Sequence, residues 1–209
     1  MLFLENIKLE ENVVKIIDKK QLAPAIVKFL VEAPLIAKKA QPGHFIILRY
    51  RENGERIPLT IADFDREKGT ITLVCQGIGK STEEINQLPI GASFLDLLGP
   101  LGEPYPIKKV GTVVCVAGGL GVAPLYPKAK ALHEASNKVI SLIGAQRKEM
   151  LIMTEEMAAV SAELQFSTDD GSFGYHGFIT DPLRAVLTRE KVDEVVAVGP
   201  VPMMASAVK

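Results

Sequence analysis

The sequence predicts a β + α/β protein, with an antiparallel barrel or sandwich in its first half and a helix-covered parallel sheet in its second half. In the first half, short β-rich runs alternate with turn signals at Pro42–Gly43, Asn53–Gly54 and Lys68–Gly69, a spacing typical of antiparallel barrels. From Val110 onward, continuous apolar runs alternate with helical stretches. Unbroken apolar strands between helices indicate a parallel sheet that is buried on both faces.

The first half contains four main predicted strands, at Val13–Ile17, Ala25–Leu30, His44–Tyr50 and Thr70–Cys75. An extended segment fixed by proline, residues 56–62, lies between the last two. The boundary between the halves is predicted at Pro104–Pro106. We therefore expect one domain at residues 1–105 and a second at residues 106–209.

Strands and helices alternate in the second half. The predicted strands are Val110–Val116, Lys138–Ile143, Leu164–Ser167 and Glu194–Val198. Helices are predicted from a glycine-rich turn to Ala135, over Met150–Val160 and over Asp181–Leu187. A further helix begins at Pro202, but the chain ends about two turns later, so we expect this domain to be incomplete at its C-terminus.

The composition is that of an ordinary globular protein, with 47% hydrophobic and 23% charged residues. With 24 Lys and Arg against 25 Asp and Glu, the net charge is −1, so no general positive field attracts nucleic acid or an anionic membrane. Charged residues follow Met1–Leu4 directly, and glycines interrupt the longest apolar stretch, so neither a secretory signal nor a membrane span is predicted. We expect a soluble, cytoplasmic protein.

Cys75 and Cys115 lie inside apolar runs, where a buried, reduced thiol is expected. Two cysteines form no disulfide framework and are too few for an iron–sulfur cluster that takes four thiolates. The three histidines have no metal-ligand spacing, and no arrangement for nucleophilic catalysis is present. We expect no metal site and no catalytic side chain in this sequence, which favours chemistry performed by a bound cofactor.

The strongest motif is the run Gly118-Gly119-Leu120-Gly121-Val122-Ala123-Pro124, between a predicted strand and a predicted helix. Glycines in this context let backbone amides approach a pyrophosphate, and Pro124 suits the first helical turn. The usual dehydrogenase fingerprint has a third glycine where this chain has proline, and an acidic residue about 20 positions later that is missing here. The run therefore predicts a phosphate site of another kind, and a tight turn without a ligand is the alternative.

The run Gly77-Ile78-Gly79-Lys80-Ser81-Thr82 superficially resembles a P-loop, but Val74 stands where that motif needs its first glycine. A helix N-terminus is the better interpretation. Ser81 and Glu84 have the spacing of a capping box, and free amides beside Lys80 suit a phosphate. A capped helix without a ligand is the alternative.

Three further segments carry weaker signals. Residues 56–62 would present main-chain groups and a hydroxyl to a flat heterocycle, although an edge strand protected by proline explains them equally well. The loops 167–174 and 199–204 follow predicted strands, so they share the carboxyl edge of the sheet with the Gly118 run. Open parallel sheets bind ligands along that edge, although the loop around Asp170 could be an ordinary turn.

In this order, the motifs resemble the ferredoxin–NADP reductase superfamily over the whole chain. The resemblance is strongest to its small electron-transfer subunits, those of NADH-dependent ferredoxin:NADP oxidoreductase (or sulfide dehydrogenase) and of dihydroorotate dehydrogenase B. It is carried by residues 55–63 (Glu-Arg-Ile-Pro-Leu-Thr-Ile-Ala-Asp), 79–82 (Gly-Lys-Ser-Thr), 99–102 (Gly-Pro-Leu-Gly) and 199–204 (Gly-Pro-Val-Pro-Met-Met).

The resemblance implies an antiparallel FAD-binding barrel followed by a domain that binds NADH. The residues implied to line the flavin ring are Pro58, Leu59 and Thr60. Those implied to hold the FAD pyrophosphate are Gly79, Lys80, Ser81 and Thr82. Those implied to receive NADH are Gly118, Gly119, Gly121, Pro124, Asp169, Asp170 and Gly171. The nicotinamide would be bordered by Gly199, Pro200 and Met203.

The resemblance also implies that hydride from NADH reduces FAD and that electrons pass to a larger catalytic subunit. In the full-length protein they would travel through a [2Fe–2S] cluster in a cysteine-rich tail, before which this sequence ends. The alternatives are the electron-transfer subunit of dihydroorotate dehydrogenase B, or a non-catalytic docking or regulatory module on the same fold.

Two positions depart from the pattern of the superfamily. Ile57 stands where its flavin motif has arginine, with Arg56 one residue upstream as a candidate phosphate ligand, and Val198 replaces a cysteine found in many relatives. The resemblance favours NADH over NADPH, although the run Gln146-Arg147-Lys148 would suit a 2′-phosphate.

Overall fold

The structure, a computed structural model, describes residues 14–208. The first half forms the strands β1 (Lys15–Ala23), β2 (Ile26–Glu32), β3 (Phe45–Arg49), β4 (Ile57–Asp65), β5 (Thr70–Gln76) and β6 (Asp96–Leu101). They make one antiparallel sheet with the order β1-β2-β5-β4-β3-β6. A bridge between Lys15 and Ser93 brings the residues before β6 against β1, so the sheet curls towards a barrel. The helices α1 (Pro34–Lys39) and α2 (Lys80–Gln87) accompany this sheet.

The second half forms the strands β7 (Thr112–Gly118), β8 (Lys138–Ala145), β9 (Glu163–Thr168), β10 (Tyr175–His176) and β11 (Glu194–Val198). They make a parallel sheet with the order β10-β9-β8-β7-β11. Its helices are α3 (Val122–Glu134), α4 (Thr154–Ala159), α5 (Thr180–Arg189) and α6 (Val201–Ala207). The predicted combination of an antiparallel sheet and a parallel sheet is confirmed.

The parallel sheet is buried on both faces because successive side chains of a strand point to opposite sides. Val113 and Cys115 of β7 pack in a core with α3, whereas Val114 and Val116 pack in a core with α5. This explains why β7 is a continuous apolar run in the sequence. The antiparallel sheet encloses a separate core around Phe29, and its largest members are fully buried.

Apolar packing and ion pairs connect the two sheets. Ile26, Ala62 and Val74 of the antiparallel sheet belong to the same core as α3. Lys130 on α3 lies 2.9 Å from the Asp63 carboxylate on β4. The connection between β6 and β7, residues 102–111, contains neither helix nor strand, and the domain division at residues 105 and 106 stays a prediction.

Several local elements differ from the sequence-based expectation, among them the unpredicted two-residue strand β10, which directly follows the loop 167–174. The short helix α1 and the strand β6 were not predicted, because α1 has only six residues and Gly99-Pro100 inside β6 is a typical turn signal. Proline is tolerated in β6 because, within residues 14–208, this strand pairs with β3 alone. The helix predicted from Met150 instead begins at Thr154, because Met153 has a left-handed backbone with φ 53°.

The predicted first strand lies partly outside the described residues, since Val13 precedes them, and β1 continues to Ala23. The expectation about Met1–Leu4 also falls on residues that are not described. In the part of the chain from residue 14 to residue 208, no helix has both the length and the apolar character needed to cross a bilayer.

Candidate functional site

A cavity of about 860 Å³ lies between the two sheets. One wall comes from the antiparallel sheet, chiefly from the start of β4. The opposite wall is the carboxyl edge of the parallel sheet, where the loops after β7, β8, β9 and β11 meet. The cavity therefore joins the two regions for which the sequence predicts ligands.

Most of the predicted site residues line this cavity. From β4 these are Pro58, Leu59 and Thr60. From the carboxyl edge of the parallel sheet they are Gly118, Gly119, Gly121, Pro124, Asp169, Gly199, Pro200 and Met203. Three loops that are distant in sequence thus border one space, as the position of each after a parallel strand predicts.

The remaining predicted residues lie outside the cavity wall. They are Arg56, Gly79, Lys80, Ser81, Thr82, Asp170 and Gly171. Four of them form the start of α2, which follows the cavity-lining residue Gln76 after a three-residue loop. Arg56 lies 3.6 Å from the Asp96 carboxylate, so an anion has to compete with an internal partner for its guanidinium group.

The glycines of the Gly118 run have two different local roles. A Cβ on Gly121 would overlap the carbonyl of Val198, and a Cβ on Gly118 would lie 2.6 Å from the sulfur of Met203. These two glycines therefore allow the start of α3 to approach the loop after β11. Gly119 has φ 55° and nothing within 4 Å of a Cβ position, so its backbone borders open space in the cavity wall.

The start of α2 is organised by Thr82. Its hydroxyl accepts hydrogen bonds from the amides of Ile78 (3.1 Å) and Gly79 (3.2 Å) and donates to the Gly79 carbonyl (2.9 Å). The helix begins at Lys80, with Gly79 as an extended N-cap that has no other atom within 4 Å of a Cβ position. The next three amides have no partner within the helix, as at any helix N-terminus.

The capping box predicted for Ser81 and Glu84 is wrong. Ser81 is the second helical residue, two positions after the N-cap Gly79, and its hydroxyl donates to the Glu55 carboxylate instead of capping the first amides. Glu84 lies 3.0 Å from the guanidinium group of Arg51. Arg51 also stacks on the ring of Tyr50, whose buried hydroxyl has no hydrogen-bond partner within residues 14–208.

The charge of the cavity wall is negative. Among the wall residues, all of which belong to the described part of the chain, Asp169 carries the single charged side chain. Of the run 146–148, Gln146 lines the cavity, whereas Arg147 lies 3.9 Å from Glu149 and Lys148 stacks on Phe173 at 5.4 Å. The two cations that could have met a 2′-phosphate therefore have partners elsewhere.

Asp170 is held in the turn next to the cavity. The side-chain and backbone hydrogen bonds with Ser172 lower the pKa of its carboxyl group, and the Ser172 amide donates to it at 2.9 Å. The Ser172 hydroxyl accepts a 2.8 Å hydrogen bond from the Lys148 amide. Asp170 thus organises the loop that presents Asp169, which agrees with the alternative of an ordinary turn for this residue.

Sequence reasoning missed several wall residues. Gln76 is the last residue of β5, and Gln146 directly follows β8. Because ligands of parallel sheets bind at the carboxyl ends of the strands, this rule could have identified Gln146. Phe178 lines the cavity with 70% of its surface exposed, and no local pattern marks it. The neighbouring Ile179 packs against Gly144 at the end of β8, which only the tertiary structure reveals.

A comparison with known protein families finds no match among family profiles. Individual proteins are similar over almost the whole chain. The electron transfer subunit homolog of dihydroorotate dehydrogenase B (NAD(+)) from Thermotoga maritima is 42% identical over 190 residues, which are 91% of this chain and 67% of that protein. The electron transfer subunit of dihydroorotate dehydrogenase B (NAD(+)) from Enterococcus faecalis is 33% identical over 90% of this chain and 72% of its own length.

Solved structures agree with this similarity. The structure of an NADH-dependent reduced ferredoxin-NADP oxidoreductase superposes with a TM-score of 0.87 at 41% identity, covering 92% of this chain and 69% of that one. The cytochrome b5 reductase domain of Ulva prolifera nitrate reductase has a TM-score of 0.74 at 19% identity, covering 94% of this chain and 89% of that one, and shows the shared fold alone. With both sheets matched, the chain belongs to the family of dihydroorotate dehydrogenase B electron transfer subunits and their homologues, which have a ferredoxin reductase-like fold.

Proposed function

We propose that this chain is the flavoprotein subunit of an oxidoreductase, and that it oxidises NADH with bound FAD and passes the electrons to a larger catalytic subunit. The cavity is the main observation behind this proposal, because the start of β4 and the loops at the carboxyl edge of the parallel sheet line the same space. The membership of the family supports it, since the similar proteins are named electron transfer subunits.

The residues of the antiparallel sheet suit FAD. Pro58, Leu59 and Thr60 contribute two apolar side chains and one hydroxyl to the same wall of the cavity, which suits the ring of a flavin. The start of α2 suits the pyrophosphate, because the Gly79 N-cap is open and orphan amides beside Lys80 attract anions.

The carboxyl edge of the parallel sheet suits NADH better than NADPH. A 2′-phosphate in the cavity would meet the Asp169 carboxylate and, among the wall residues within 14–208, no lysine or arginine. A ribose hydroxyl, in contrast, can donate a hydrogen bond to Asp169. The open backbone at Gly119 and the start of α3 would receive the pyrophosphate of the dinucleotide.

Bound FAD supplies the hydride-accepting and one-electron chemistry, so the protein residues orient and shield the two cofactors. Pro58–Thr60 on one side and Gly199, Pro200 and Met203 on the other border the space in which the two cofactors would meet. This arrangement contributes proximity and orientation, which account for large rate effects without any acid or base.

The [2Fe–2S] cluster expected from the resemblance is not held by the two cysteines of this chain. Cys75 and Cys115 are buried and belong to different sheets. Burial raises the pKa of Cys75 to about 11 and that of Cys115 to about 12, which opposes the thiolate form that metal ligation requires. We propose that such a cluster uses cysteines from outside this sequence, and that the complex works in the cytoplasm.

The proposal is tested by reconstituting the purified protein with FAD and adding NADH under anaerobic conditions. We expect a yellow protein whose visible flavin absorbance is bleached rapidly by NADH and much more slowly by NADPH. A protein that stays colourless after reconstitution would contradict the proposal and support a docking or regulatory module.

The identity of the acceptor is a second question. The similarity to dihydroorotate dehydrogenase B subunits favours a dihydroorotate-oxidising partner, whereas the similar solved structure favours a ferredoxin:NADP-type partner. Co-purification with the partner, followed by assays with orotate or with ferredoxin and NADP, distinguishes the two.

A further inference from the structure

Tyr105, in the connection between β6 and β7, is attached by its backbone to the antiparallel half. Its amide donates a 2.8 Å hydrogen bond to the carbonyl of Pro42, in the turn that precedes β3. The next residue, Gly43, has φ 96°, and a Cβ there would lie 3.0 Å from the Tyr105 nitrogen. Glycine at position 43 therefore permits the close approach of the two backbones.

The side chain of Tyr105 is attached to the parallel half. Its hydroxyl donates a hydrogen bond to the carboxylate of Glu194, the first residue of β11. The ammonium group of Lys128, on α3, lies 5.3 Å from the centre of its ring. Burial and the contact with Glu194 raise the pKa of Tyr105, so the hydroxyl remains a donor at neutral pH.

Each of these two attachments is connected to a wall of the cavity by a β-strand, β3 on one side and β11 on the other. On one side, the turn at Gly43 continues into β3, where Phe45 pairs with Thr60 of the cavity wall. On the other side, β11 runs from Glu194 to Val198 over about 13 Å and delivers Gly199 to the opposite wall. Parallel pairing with β7 along the whole strand keeps β11 rigid.

We infer that Tyr105 is a positioning residue, whose bond to Glu194 sets the separation of the two cavity walls and hence the approach of the nicotinamide to the flavin. The inference rests on the proposed function. Tyr105 itself does not line the cavity and lies near the amino edge of the parallel sheet, at the opposite end of β11 from the site. A displacement of about 1 Å between reacting groups can reduce a rate by about 100-fold, so a contact that lies away from the cavity but holds one of its walls in place has a large effect on the rate.

The Tyr105→Phe variant tests the inference, with Tyr175→Phe as the matched control. Tyr175 also donates to a carboxylate, that of Asp181 at 3.4 Å, but this contact stays within the parallel half. For Tyr105→Phe loaded with FAD, we expect the limiting rate of flavin reduction by NADH to fall about 10-fold, with weaker long-wavelength charge-transfer absorbance of the reduced flavin with NAD+. The control should keep both values. The variant keeps the ion pairs between the halves, such as Lys130–Asp63, and these should keep it folded.

Substitutions of the partner separate a hydrogen bond from general packing. Glu194→Gln retains an oxygen acceptor, so it should keep most of the rate, whereas Glu194→Ala should match Tyr105→Phe. The double variant Tyr105→Phe/Glu194→Ala should be no slower than either single variant, because both remove the same contact.

A second readout needs no cofactor. Hydrogen–deuterium exchange of residues 199–204 should be faster in Tyr105→Phe than in the wild type, and unchanged in Tyr175→Phe. Unchanged exchange, a wild-type limiting rate or additive effects in the double variant would each overturn the inference. If the wild-type protein binds no flavin at all, the proposed function fails, whereas normal reduction of both wild type and Tyr105→Phe defeats the positioning role alone.

Discussion

The ammonium group of Lys28, on β2, donates a 2.7 Å hydrogen bond to the carboxylate of Glu156, on α4, and so connects the antiparallel sheet to a helix of the parallel half. Burial is the largest single influence on Glu156 and acts to raise its pKa. The hydrogen bond from Lys28, a backbone hydrogen bond and the positive charges of Lys28 and Lys20 together outweigh burial and leave this pKa below its ordinary value of 4.5. The charged form of Glu156 is therefore stabilised by folding.

We expect Glu156→Gln to lower the free energy of unfolding at pH 7 by about 0.5–1 kcal/mol, or Tm by roughly 1–4 °C, because the pair is partly exposed. A lowered pKa in the folded state contributes stability that is present above pH 4.5 and is lost as the pH falls through the folded value. The difference between wild type and variant should therefore shrink below pH 4.5. Thermal unfolding from pH 3.5 to pH 8 measures it. Glu155→Gln, which removes a neighbouring exposed carboxylate, is the control, and a constant difference at all pH values would refute the assignment.

Gly121 and Gly119 should respond differently to alanine. Gly121→Ala places a Cβ against the Val198 carbonyl, so we expect a loss of stability of about 2 kcal/mol or more from overpacking. In Gly119→Ala the new Cβ contacts no other atom, so the positive φ alone lowers the stability of the protein, by about 1 kcal/mol. However, it should weaken NADH binding, because the Cβ enters the space of the dinucleotide. Urea unfolding and NADH titration distinguish the two variants, and equal stability losses would contradict the packing role of Gly121.

Asp169→Asn should reduce the preference for NADH over NADPH. Two unit charges about 4 Å apart in water interact by about 1 kcal/mol, so removing the carboxylate should change the ratio of the two rates by about fivefold. The ratio is measured from flavin reduction by each dinucleotide at low ionic strength. Glu67→Gln, on the β4–β5 hairpin, removes a distant carboxylate and should leave the ratio unchanged. An unchanged ratio for Asp169→Asn would mean that the 2′-position binds away from this residue.

Lys80→Ala should weaken the binding of FAD. Lys80 is the first residue of α2 and is exposed, so its contribution to a bound pyrophosphate is that of a solvated charge at a helix N-terminus, about 0.3–1 kcal/mol. We expect a two- to fivefold higher Kd for FAD, with a smaller effect at high salt. Flavin fluorescence titration at two salt concentrations measures this. Lys39→Ala at the end of α1 is the comparison, and an equal effect of both would indicate a general charge effect.

The architecture and the main loops of the site were predictable because each depends on local patterns. The apolar continuity of β7 reflects burial on both faces, and the turn signals of the first half reflect antiparallel connections. The position of Gly118, Asp169 and Gly199 at one edge follows from the direction of parallel strands.

The division of roles within a motif was not predictable. Asp169 and Asp170 are adjacent in sequence, but the first lines the cavity and the second is bonded to Ser172 in its own turn. Likewise, Thr82 rather than Ser81 organises the start of α2, since the N-cap lies at Gly79. Sequence spacing identifies the motif, whereas the direction of each side chain depends on backbone angles and neighbours.

Fold class and the identity of the binding loops therefore follow from local patterns of polarity, glycine and proline, which act through short-range sterics and burial. The cavity between the sheets and the negative charge of its wall arise only when residues from Ile26 to Ser206 are brought together. The attachment of Tyr105 to Glu194 likewise joins residues that are 89 positions apart in the sequence. These features depend on long-range packing between the two halves of the chain. No sequence spacing within either half specifies how far apart the residues of the two halves lie.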